Sequence, residues 1–317
     1  MRRALITGGT GFVGTHLVRF LNAEAVQVAV LASGVEFPAP PPGVHFNRVD
    51  IRKADDVRSV VREFRPTEIY HLAGISAVDI SWSNPSLTFE VNVIGAYNLF
   101  EAGMGLAAPP RILNVSTAQV YVPSASVLTE ASLVGPANPY SASKAMSELL
   151  SVQYSKVLSG GVITARSFNH SGPGQRPGFV LSSIAKQLAE MSEGRRAPKL
   201  IVGNVDVVRD FTDVRDVVRA YAALIERARI GEVYNVCSGF GVRVADIIAK
   251  FTSISGVAVT LETDPARLRP GEVSTVVGDS TKIRRETGWI PQIPVEKTIQ
   301  DLLDDWRTRV RRGGQSR

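Results

Sequence analysis

The sequence predicts an α/β fold in which a doubly wound parallel sheet is joined by a smaller C-terminal α/β lobe. The first half of the 317 residues alternates short apolar runs with amphipathic helical patterns, which is typical of repeated βα units. A glycine-rich turn directly follows the first apolar run. Near residue 170 the pattern changes to mixed helices and short strands, so we predict domains of residues 1–170 and 171–317 with interleaved chain segments.

The elements of the first half follow from hydrophobic periodicity. Strands are predicted at residues 4–7, 26–31, 44–49, 68–73, 111–116 and 162–166, where the apolar runs are short. Helices are predicted at residues 12–25, 54–64, 85–104 and 139–158, where apolar residues recur at helical spacing. Residues 33–43 contain four prolines and are predicted to form a surface loop.

The second half begins with a glycine- and proline-rich segment, residues 170–178, which is predicted to be a loop. Helices are predicted beyond it at residues 180–193, 214–228, 244–253 and 295–310, with short strands between them. The densest basic run is Arg307, Arg309, Arg311 and Arg312. It lacks interleaved aromatic residues, so it is predicted to be a solvated tail and not a nucleic-acid site.

Composition and charge narrow the class of protein. A chain that is 44% hydrophobic and 21% charged is an ordinary globular protein. The net charge of +6 fits an anionic small molecule such as a nucleotide diphosphate. The sequence shows no signal-peptide pattern and no run of 18 apolar residues, so we expect a cytoplasmic protein with no membrane contact. The single cysteine, Cys237, lies in an apolar run and is predicted to be an inert core thiol.

The glycines of the first turn predict a dinucleotide site on a Rossmann-type domain. Gly8 permits the tight turn, Gly11 lets the backbone approach a pyrophosphate, and Gly14 lets the helix pack against the sheet. The N-terminus of the following helix offers oriented N–H groups to the phosphates. The position of the turn between a strand and a helix makes this interpretation stronger than that of a purely structural turn.

The choice between the two nicotinamide dinucleotides depends on the end of the second strand. A ribose-binding carboxylate is expected about 20 residues after the glycines, but the chain has Ala32, Ser33 and Gly34 there. Small uncharged residues leave room for a 2′-phosphate, which slightly favours NADP(H) and leaves NAD(H) open. Asp50, after the third strand, either contacts the adenine amine or caps the next helix, and both interpretations stay open.

Tyr140 and Lys144 form the predicted catalytic pair. They lie four residues apart in a predicted helix and therefore share one face. A cation beside a phenol favours the phenolate and lowers its pKa from about 10, as acid/base chemistry at a carbonyl or alcohol carbon requires. Thr117 follows the fifth strand at the edge where parallel sheets present their chemistry, so its hydroxyl is predicted to bond the reacting oxygen.

Motifs along the whole chain resemble those of the extended short-chain dehydrogenase/reductase family. They are Gly8-x-x-Gly11-x-x-Gly14, His71-Leu-Ala-Gly74, Asn92-Val-Ile-Gly95, Ser116-Thr-Ala-Gln-Val-Tyr121, Tyr140-x-x-x-Lys144 and Arg166-Ser-Phe-Asn-His170. Residues 168–175, 209–216, 233–239 and 264–272 are most similar to the branch of that family that acts on GDP-linked 4-keto-6-deoxy sugars. The resemblance implies an NAD(P)-dependent oxidoreductase that forms a homodimer through the helices predicted at residues 85–104 and 139–158.

The same resemblance implies the roles of individual residues. Thr117, Tyr140 and Lys144 would be catalytic. The cofactor would contact Gly8, Thr10, Gly11, Phe12, Val13, Gly14, Ser33, Asp50, Ile51, Leu72, Ala73, Gly74, Asn92, Val115, Tyr140, Lys144, Phe168 and His170. The sugar nucleotide would contact Thr117, Asn169, Lys186, Arg209, Arg269 and Glu272, and no metal site is expected.

The implied reaction is reduction of the C4 ketone of GDP-4-keto-6-deoxy-D-mannose to GDP-D-rhamnose, with the proton donated by Tyr140. Related dehydratases carry a glutamate two residues after the active-site hydroxyl, where this chain has Gln119, and this difference disfavours dehydration. Val122 replaces a family glycine, so we expect an altered loop with the chemistry kept. The alternatives are a GDP-mannose 4,6-dehydratase or another sugar-nucleotide epimerase or dehydratase, and a non-catalytic dinucleotide sensor, which Tyr140 and Lys144 argue against.

Overall fold

The computed structural model of the chain describes residues 2–34, 40–124, 126–157, 160–268 and 273–313. Its strands, in chain order, are β1 (Arg3–Thr7), β2 (Gln27–Ala32), β3 (His45–Arg48), β4 (Glu68–His71), β5 (Arg111–Thr117), β6 (Val162–Ser167), β7 (Asn169–Ser171), β8 (Lys199–Val202), β9 (Val208–Asp213), β10 (Val233–Val236), β11 (Gly241–Arg243), β12 (Thr260–Thr263) and β13 (Thr275–Val276). The six strands predicted in the first half are all present, with ends that differ by one or two residues.

The helices are α1 (Phe12–Ala23), α2 (Ala54–Phe64), α3 (Val78–Ser83), α4 (Pro85–Phe89), α5 (Gly95–Met104), α6 (Pro139–Ser155), α7 (Val180–Ser192), α8 (Val214–Arg227), α9 (Val244–Ser255), α10 (Thr281–Thr287) and α11 (Val295–Gly313). A π-helical turn over Glu90–Ile94 joins α4 to α5. Residues 85–104 therefore form the continuous helix that the sequence predicts, and one turn in its middle is π-helical and so wider than an α-helical turn.

The main sheet has seven parallel strands in the order β10-β6-β5-β4-β1-β2-β3. One face packs against α1 and α8, and the other packs against α2, α5 and α6. The predicted doubly wound parallel sheet is confirmed. The strand order reverses between β1 and β4, and in open α/β sheets the crevice at the carboxyl ends of such strands is where ligands bind.

The smaller lobe is built mainly from the second half of the chain. Strands β11, β9 and β13 form a sheet in which β7 also pairs with β9, and β12 pairs with β8. Helices α7, α9 and α11 enclose a separate core that includes Leu188, Phe251 and Trp306. Strand β10 and helix α8 also come from the second half, but they pack in the main sheet layers.

The structure corrects two predicted boundaries, the end of the first helix and the start of the loop after residue 169. Helix α1 ends at Ala23, before the predicted end, because Ala25 adopts a left-handed conformation with φ 55° that turns the chain into β2. The segment predicted to be a loop after residue 169 begins with β7, which pairs in parallel with β9 over Asn169–Ser171. The pairing ties the end of the main sheet to the smaller lobe.

The basic run at residues 307–312 is part of helix α11 and is not a solvated tail. Arg309 pairs with Asp305 at 2.7 Å, and Arg311 pairs with Glu193 of α7 at 2.7 Å. The opposite face of the helix buries Trp306 and Val310. The expectation failed because the apolar positions continue at helical spacing among the arginines. Among the residues with a described position, no helix combines the length and the apolar character that crossing a bilayer requires.

Candidate active site

The glycine turn at the end of β1 has the shape that a phosphate-binding turn needs. Gly8 has φ +68°, and a Cβ atom there would lie 2.8 Å from the Ala73 backbone nitrogen. A Cβ atom at Gly14 would lie 2.3 Å from the Gly8 carbonyl oxygen. The first turn of α1 has no acidic residue and no side-chain cap, so its amide groups are available to an anion. The turn therefore fits the pyrophosphate of a dinucleotide.

The residues expected around the adenosine lie along the edge formed by β2 and β3. Ser33 and Gly34 are exposed after β2. Asp50 is held by Arg52, whose side chain donates to its carboxylate at 2.7 Å and whose backbone nitrogen donates at 3.0 Å. These hydrogen bonds lower the pKa of Asp50. Asp50 does not cap α2, because Lys53 occupies the cap position.

Tyr140, Lys144 and Thr117 come together at the carboxyl end of β5. All three side chains are at least nine-tenths buried. The Tyr140 phenol lies beside the Thr117 hydroxyl. Lys144 Nζ donates to the Val115 carbonyl oxygen at 2.8 Å. Asn138 caps α6 through a reciprocal pair of bonds with Ser141, which fixes where the helix starts and so where Tyr140 lies.

The expectation that Lys144 lowers the pKa of Tyr140 is wrong for this structure. Burial raises the pKa of Tyr140, and the neighbouring Thr117 hydroxyl only partly offsets that increase. Burial also lowers the pKa of Lys144 to about 8, so the cation itself is weakened. At Lys144, desolvation outweighs the attraction of the Glu148 carboxylate. A phenol with a raised pKa keeps its proton at neutral pH and can donate it.

Asn92 lies in the π-helical turn and organises the loop after β4. Its side-chain oxygen accepts from the Ile75 backbone nitrogen at 2.8 Å, and its amide donates to the Ser143 hydroxyl at 2.9 Å. A Cβ atom at Gly74 would lie 2.9 Å from the Asn92 oxygen and 3.3 Å from Lys144 Nζ. Asn92 therefore positions residues around Lys144, and its own amide is engaged by the protein.

His71 is a fully buried neutral group next to this site. Its Nδ1 lies 2.8 Å from the Thr7 hydroxyl, which also accepts from the Ala73 nitrogen at 3.1 Å. Burial first, and Lys144 second, lower the pKa of His71 to about 3. The residue therefore supports the loop and does not titrate near neutral pH.

The other residues predicted to contact the cofactor follow the same crevice. Phe12 stacks on His170, with ring centroids 6.2 Å apart and planes 7° apart. Phe168 is buried beside Cys237, whose thiol has a pKa raised by burial. The side chain of Ile51 is buried and packs against Gly95 of α5. The remaining predicted residues, all partly buried, are Thr10, Val13, Leu72, Ala73 and Val115.

Three of the predicted substrate residues, Asn169, Lys186 and Arg209, lie on elements of the smaller lobe. Asn169 is exposed on β7, and Arg209 lies on β9, where its guanidinium donates to the Val208 carbonyl oxygen at 2.9 Å. Lys186 lies on α7, 3.6 Å from Glu190. Arg269 and Glu272 lie outside the described residues. No cluster of potential metal ligands is found among the side chains with described positions.

Comparison with known proteins places this geometry in a family. The profile described as GDP-mannose 4,6 dehydratase matches residues 5–302. The chain belongs to the GDP-mannose 4,6-dehydratase family. A member of this family from Pseudomonas aeruginosa, named GDP-6-deoxy-D-mannose reductase, is 36% identical, and the match covers 98% of this chain and 99% of the relative. A GDP-mannose 4,6-dehydratase from Yersinia enterocolitica is 26% identical over 96% of this chain and 93% of the relative.

Solved structures show the same architecture. The structure of RMD from Pseudomonas aeruginosa, complexed with NADPH, has a TM-score of 0.86 and 33% identity over 98% of this chain and all of that chain. A UDP-glucose 4-epimerase from Thermus thermophilus, complexed with NAD, has a TM-score of 0.84 and 32% identity over 96% of this chain and 99% of that chain. The family fold thus occurs with both nicotinamide dinucleotides bound.

One part of the site was not anticipated as functional from the sequence. Glu148, one helical turn after Lys144, forms a buried ion pair with Arg166 of β6 at 2.7 Å. The hydroxyl of Ser116 donates to the same carboxylate at 2.5 Å. The available signal was the spacing of Tyr140, Lys144 and Glu148, which places all three on one face of a helix. Because that face packs against the sheet, the charge of Glu148 indicates a buried partner.

Proposed function

We propose that the chain reduces the C4 ketone of GDP-4-keto-6-deoxy-D-mannose to the alcohol of GDP-D-rhamnose. A bound nicotinamide dinucleotide would supply the hydride. Tyr140 would donate its proton to the developing alkoxide, and Thr117 would hydrogen-bond the same oxygen. Lys144 would hold the nicotinamide ribose. The observation that carries the proposal is the burial of Tyr140, Lys144 and Thr117 together at the sheet edge that also bears the glycine turn.

The protonation states agree with a reduction. Because burial raises the pKa of Tyr140, the phenol holds a proton to donate at neutral pH. Gln119 follows Thr117 by two residues and is exposed, with its backbone nitrogen donating to the Thr117 hydroxyl at 3.2 Å. An amide cannot act as the carboxylate base of a water elimination. The site therefore favours reduction over dehydration.

Either nicotinamide dinucleotide fits, and we propose NADP(H) as the preferred one. The exposed Ser33 and Gly34 present neither a carboxylate to bind a free 2′-hydroxyl nor one to repel a 2′-phosphate. The similarity to a protein solved with NADPH supports the same choice. The proposed substrate contacts are Thr117, Asn169, Lys186, Arg209, Arg269 and Glu272.

The test of this function is absorbance at 340 nm when the protein is mixed with NADPH or NADH and the 4-keto sugar nucleotide. We expect oxidation of NADPH and a product with a hydroxyl at C4. Parallel incubation with GDP-mannose and an oxidised cofactor would detect water loss. If no reduced cofactor is consumed and GDP-mannose is dehydrated, the proposal is wrong and the dehydratase alternative takes its place.

We propose that the protein forms a homodimer through α5 and α6. These helices expose an apolar face that includes Tyr97, Met146, Leu149 and Val152, and the Leu149 side chain is 72% exposed. Exposed apolar surface concentrated on two adjacent helices is typical of a protein interface. The L149D variant should be monomeric by light scattering. The matched control is L133D, since Leu133 is 74% exposed on the loop before α6.

We propose the cytoplasm as the compartment of this reaction. The fully buried, unpaired thiol of Cys237 is compatible with a reducing environment. Detection of the protein in an oxidising, extracytoplasmic fraction would contradict this.

A further inference from the structure

The middle of helix α6 is fixed to the sheet by a buried ionic cluster, which we call the Glu148 cluster (Ser116, Glu148 and Arg166). Arg166 Nε donates to both carboxylate oxygens of Glu148 at 3.1 Å, and its terminal nitrogen donates to one of them at 2.7 Å. Ser116 donates to Oε1, one of the two oxygens that Arg166 Nε also contacts. Glu148 and Arg166 are each 6% exposed, so water does not compete for these bonds.

The cluster lies one helical turn beyond Lys144, on the face of α6 that packs against the sheet. Ser116 and Arg166 are register partners on β5 and β6, so they face α6 from neighbouring strands. Tyr140, Lys144 and Glu148 occupy successive turns of α6, about 6 Å apart along its axis. They engage Thr117, the Val115 carbonyl and Ser116 of β5, respectively. Three successive helical turns thus contact three consecutive residues of one strand.

The cluster also extends away from Tyr140 and Lys144 towards β10, the edge strand of the main sheet. Arg166 lies over the Tyr121 ring at 4.7 Å and donates to the Glu130 carbonyl oxygen at 3.3 Å. The Tyr121 hydroxyl donates to the side-chain oxygen of Asn235, on β10, at 2.6 Å. The Glu130 carboxylate in turn accepts from the Asn235 backbone nitrogen at 2.8 Å. These bonds hold the guanidinium in one place, and Glu148 is held with it.

We propose that Glu148 is a positioning residue for the reduction, which fixes the depth at which α6 presents Tyr140 and Lys144 against the end of β5. This inference rests on the proposed function for its catalytic consequence. Apart from the cluster, α6 is bonded to β5 through Lys144, which donates to the Val115 carbonyl, and through Asn114, which donates to Ser147 and Ser151. The cluster adds the ionic contact, made one helical turn from Lys144. A displacement of about 1 Å at a catalytic group can reduce a rate by roughly a hundredfold.

The charge of Glu148 has a second consequence that can be measured without substrate. The groups that face Lys144 from the described elements are His71 of β4, and Tyr140 and Glu148 of α6, while β5 presents the uncharged Val115 carbonyl. Glu148 is the anion among them, and its charge favours the protonated amine. Its replacement by glutamine removes that charge, so the titration of Lys144 must move to lower pH.

The experiment compares E148Q with E68Q in the full-length protein. Glu68 is a matched control, because it is 5% exposed, pairs with Arg2 at 3.2 Å and lies at the opposite end of the sheet. The titration of Lys144 is followed by ¹³C NMR of ε-labelled lysine, with the resonance assigned from K144M. Rates are measured as NADPH oxidation by the 4-keto sugar nucleotide.

In E148Q the Lys144 midpoint should fall, and kcat should fall ten- to a hundredfold while KM changes less than threefold. E68Q should leave both quantities at the wild-type value. S116A keeps the charges of Glu148 and Arg166, so it should reduce kcat severalfold without moving the Lys144 midpoint. If E148Q does not fold, S116A is the variant that tests the inference. The S116A/E148Q double variant should lose little beyond E148Q alone, because both changes remove one interaction.

The inference is overturned if the Lys144 midpoint in E148Q equals that of the wild type. It is also overturned if E148Q, or S116A where E148Q does not fold, turns over as fast as E68Q. A wild-type protein that does not reduce the ketone, together with a lowered midpoint in E148Q, rejects the proposed function and retains the placement of Glu148.

Discussion

Substitution of Gly14 by alanine would disturb the dinucleotide site through the backbone alone. A Cβ atom there would lie 2.3 Å from the Gly8 carbonyl oxygen and 2.6 Å from the Gly9 Cα atom. Non-bonded heavy atoms have their optimum separation at about 3.5 Å, so α1 and the turn would have to separate by roughly 1 Å. Both neighbours are backbone atoms, and neither can rotate away.

The magnitude follows from the cost of overpacking. A shift of this size in a packed interior costs about 1–3 kcal/mol of unfolding free energy. The same shift moves the first amides of α1 away from the phosphates, and the loss of one hydrogen bond to a charged group costs about 1.5–3 kcal/mol. G14A should therefore bind NADPH roughly ten- to a hundredfold more weakly.

The assay is NADPH fluorescence titration combined with urea unfolding. G105A is the matched control, because a Cβ atom at Gly105 meets no atom closer than 3.5 Å. G105A should bind and unfold like the wild type. If G14A binds NADPH with wild-type affinity and unfolds at the wild-type urea concentration, the close packing of turn and helix is not a requirement of the site.

Three further predictions concern side chains. Y140F should reduce kcat about a hundred- to ten-thousandfold with NADPH affinity kept, measured at 340 nm, and a loss below tenfold would contradict the assignment of Tyr140 as the acid. Because burial lowers the pKa of Lys144 to about 8, the unfolded chain binds the additional proton between pH 8 and about 10.5, so stability should rise with pH in that window. K144M should lose this rise in urea unfolding, and an unchanged slope would show that Lys144 is not desolvated. K186M should raise KM for the sugar nucleotide with unfolding unchanged, whereas K297M, which removes an exposed lysine paired with Asp301 at 2.6 Å, should leave KM at the wild-type value.

The residues of the candidate active site could be located from the sequence because the signals are local. The glycine turn directly follows an apolar run, and Tyr140 and Lys144 lie one turn apart on a helix whose start Asn138 and Pro139 define. These features depend on neighbours in the chain, and their placement at one sheet edge follows from the geometry of parallel strands.

Other features depend on tertiary contacts that the sequence does not encode locally. The π-helical turn at Glu90–Ile94 leaves no sequence periodicity distinct from an ordinary helix, yet it contains Asn92 and its bonds to Ile75 and Ser143. Strand β7 forms within a segment rich in glycine and proline because β9 is available to pair with it. The raised pKa of Tyr140 reflects complete burial, which the spacing of Tyr140 and Lys144 cannot reveal.

The same distinction explains the failed expectation for the C-terminal arginines. Charge density suggested a solvated tail, but every third or fourth residue of the segment is apolar, and Trp306 donates to the Ser182 hydroxyl at 2.9 Å from within the core of the smaller lobe. A helix with one buried face and ion-paired arginines on the other has the same composition as a basic tail. Periodicity was therefore the better guide at this position than charge.

The most direct measurement of the proposed chemistry is the transfer of deuterium from the nicotinamide C4 position of labelled NADPH to GDP-4-keto-6-deoxy-D-mannose. Mass spectrometry and proton NMR of the product locate the label. We predict one deuterium, at C4 of a 6-deoxyhexose that carries a new hydroxyl, and none of this product in Y140F under the same conditions. Recovery of deuterium at C6, or of unlabelled sugar with the reduced cofactor unconsumed, would contradict the account.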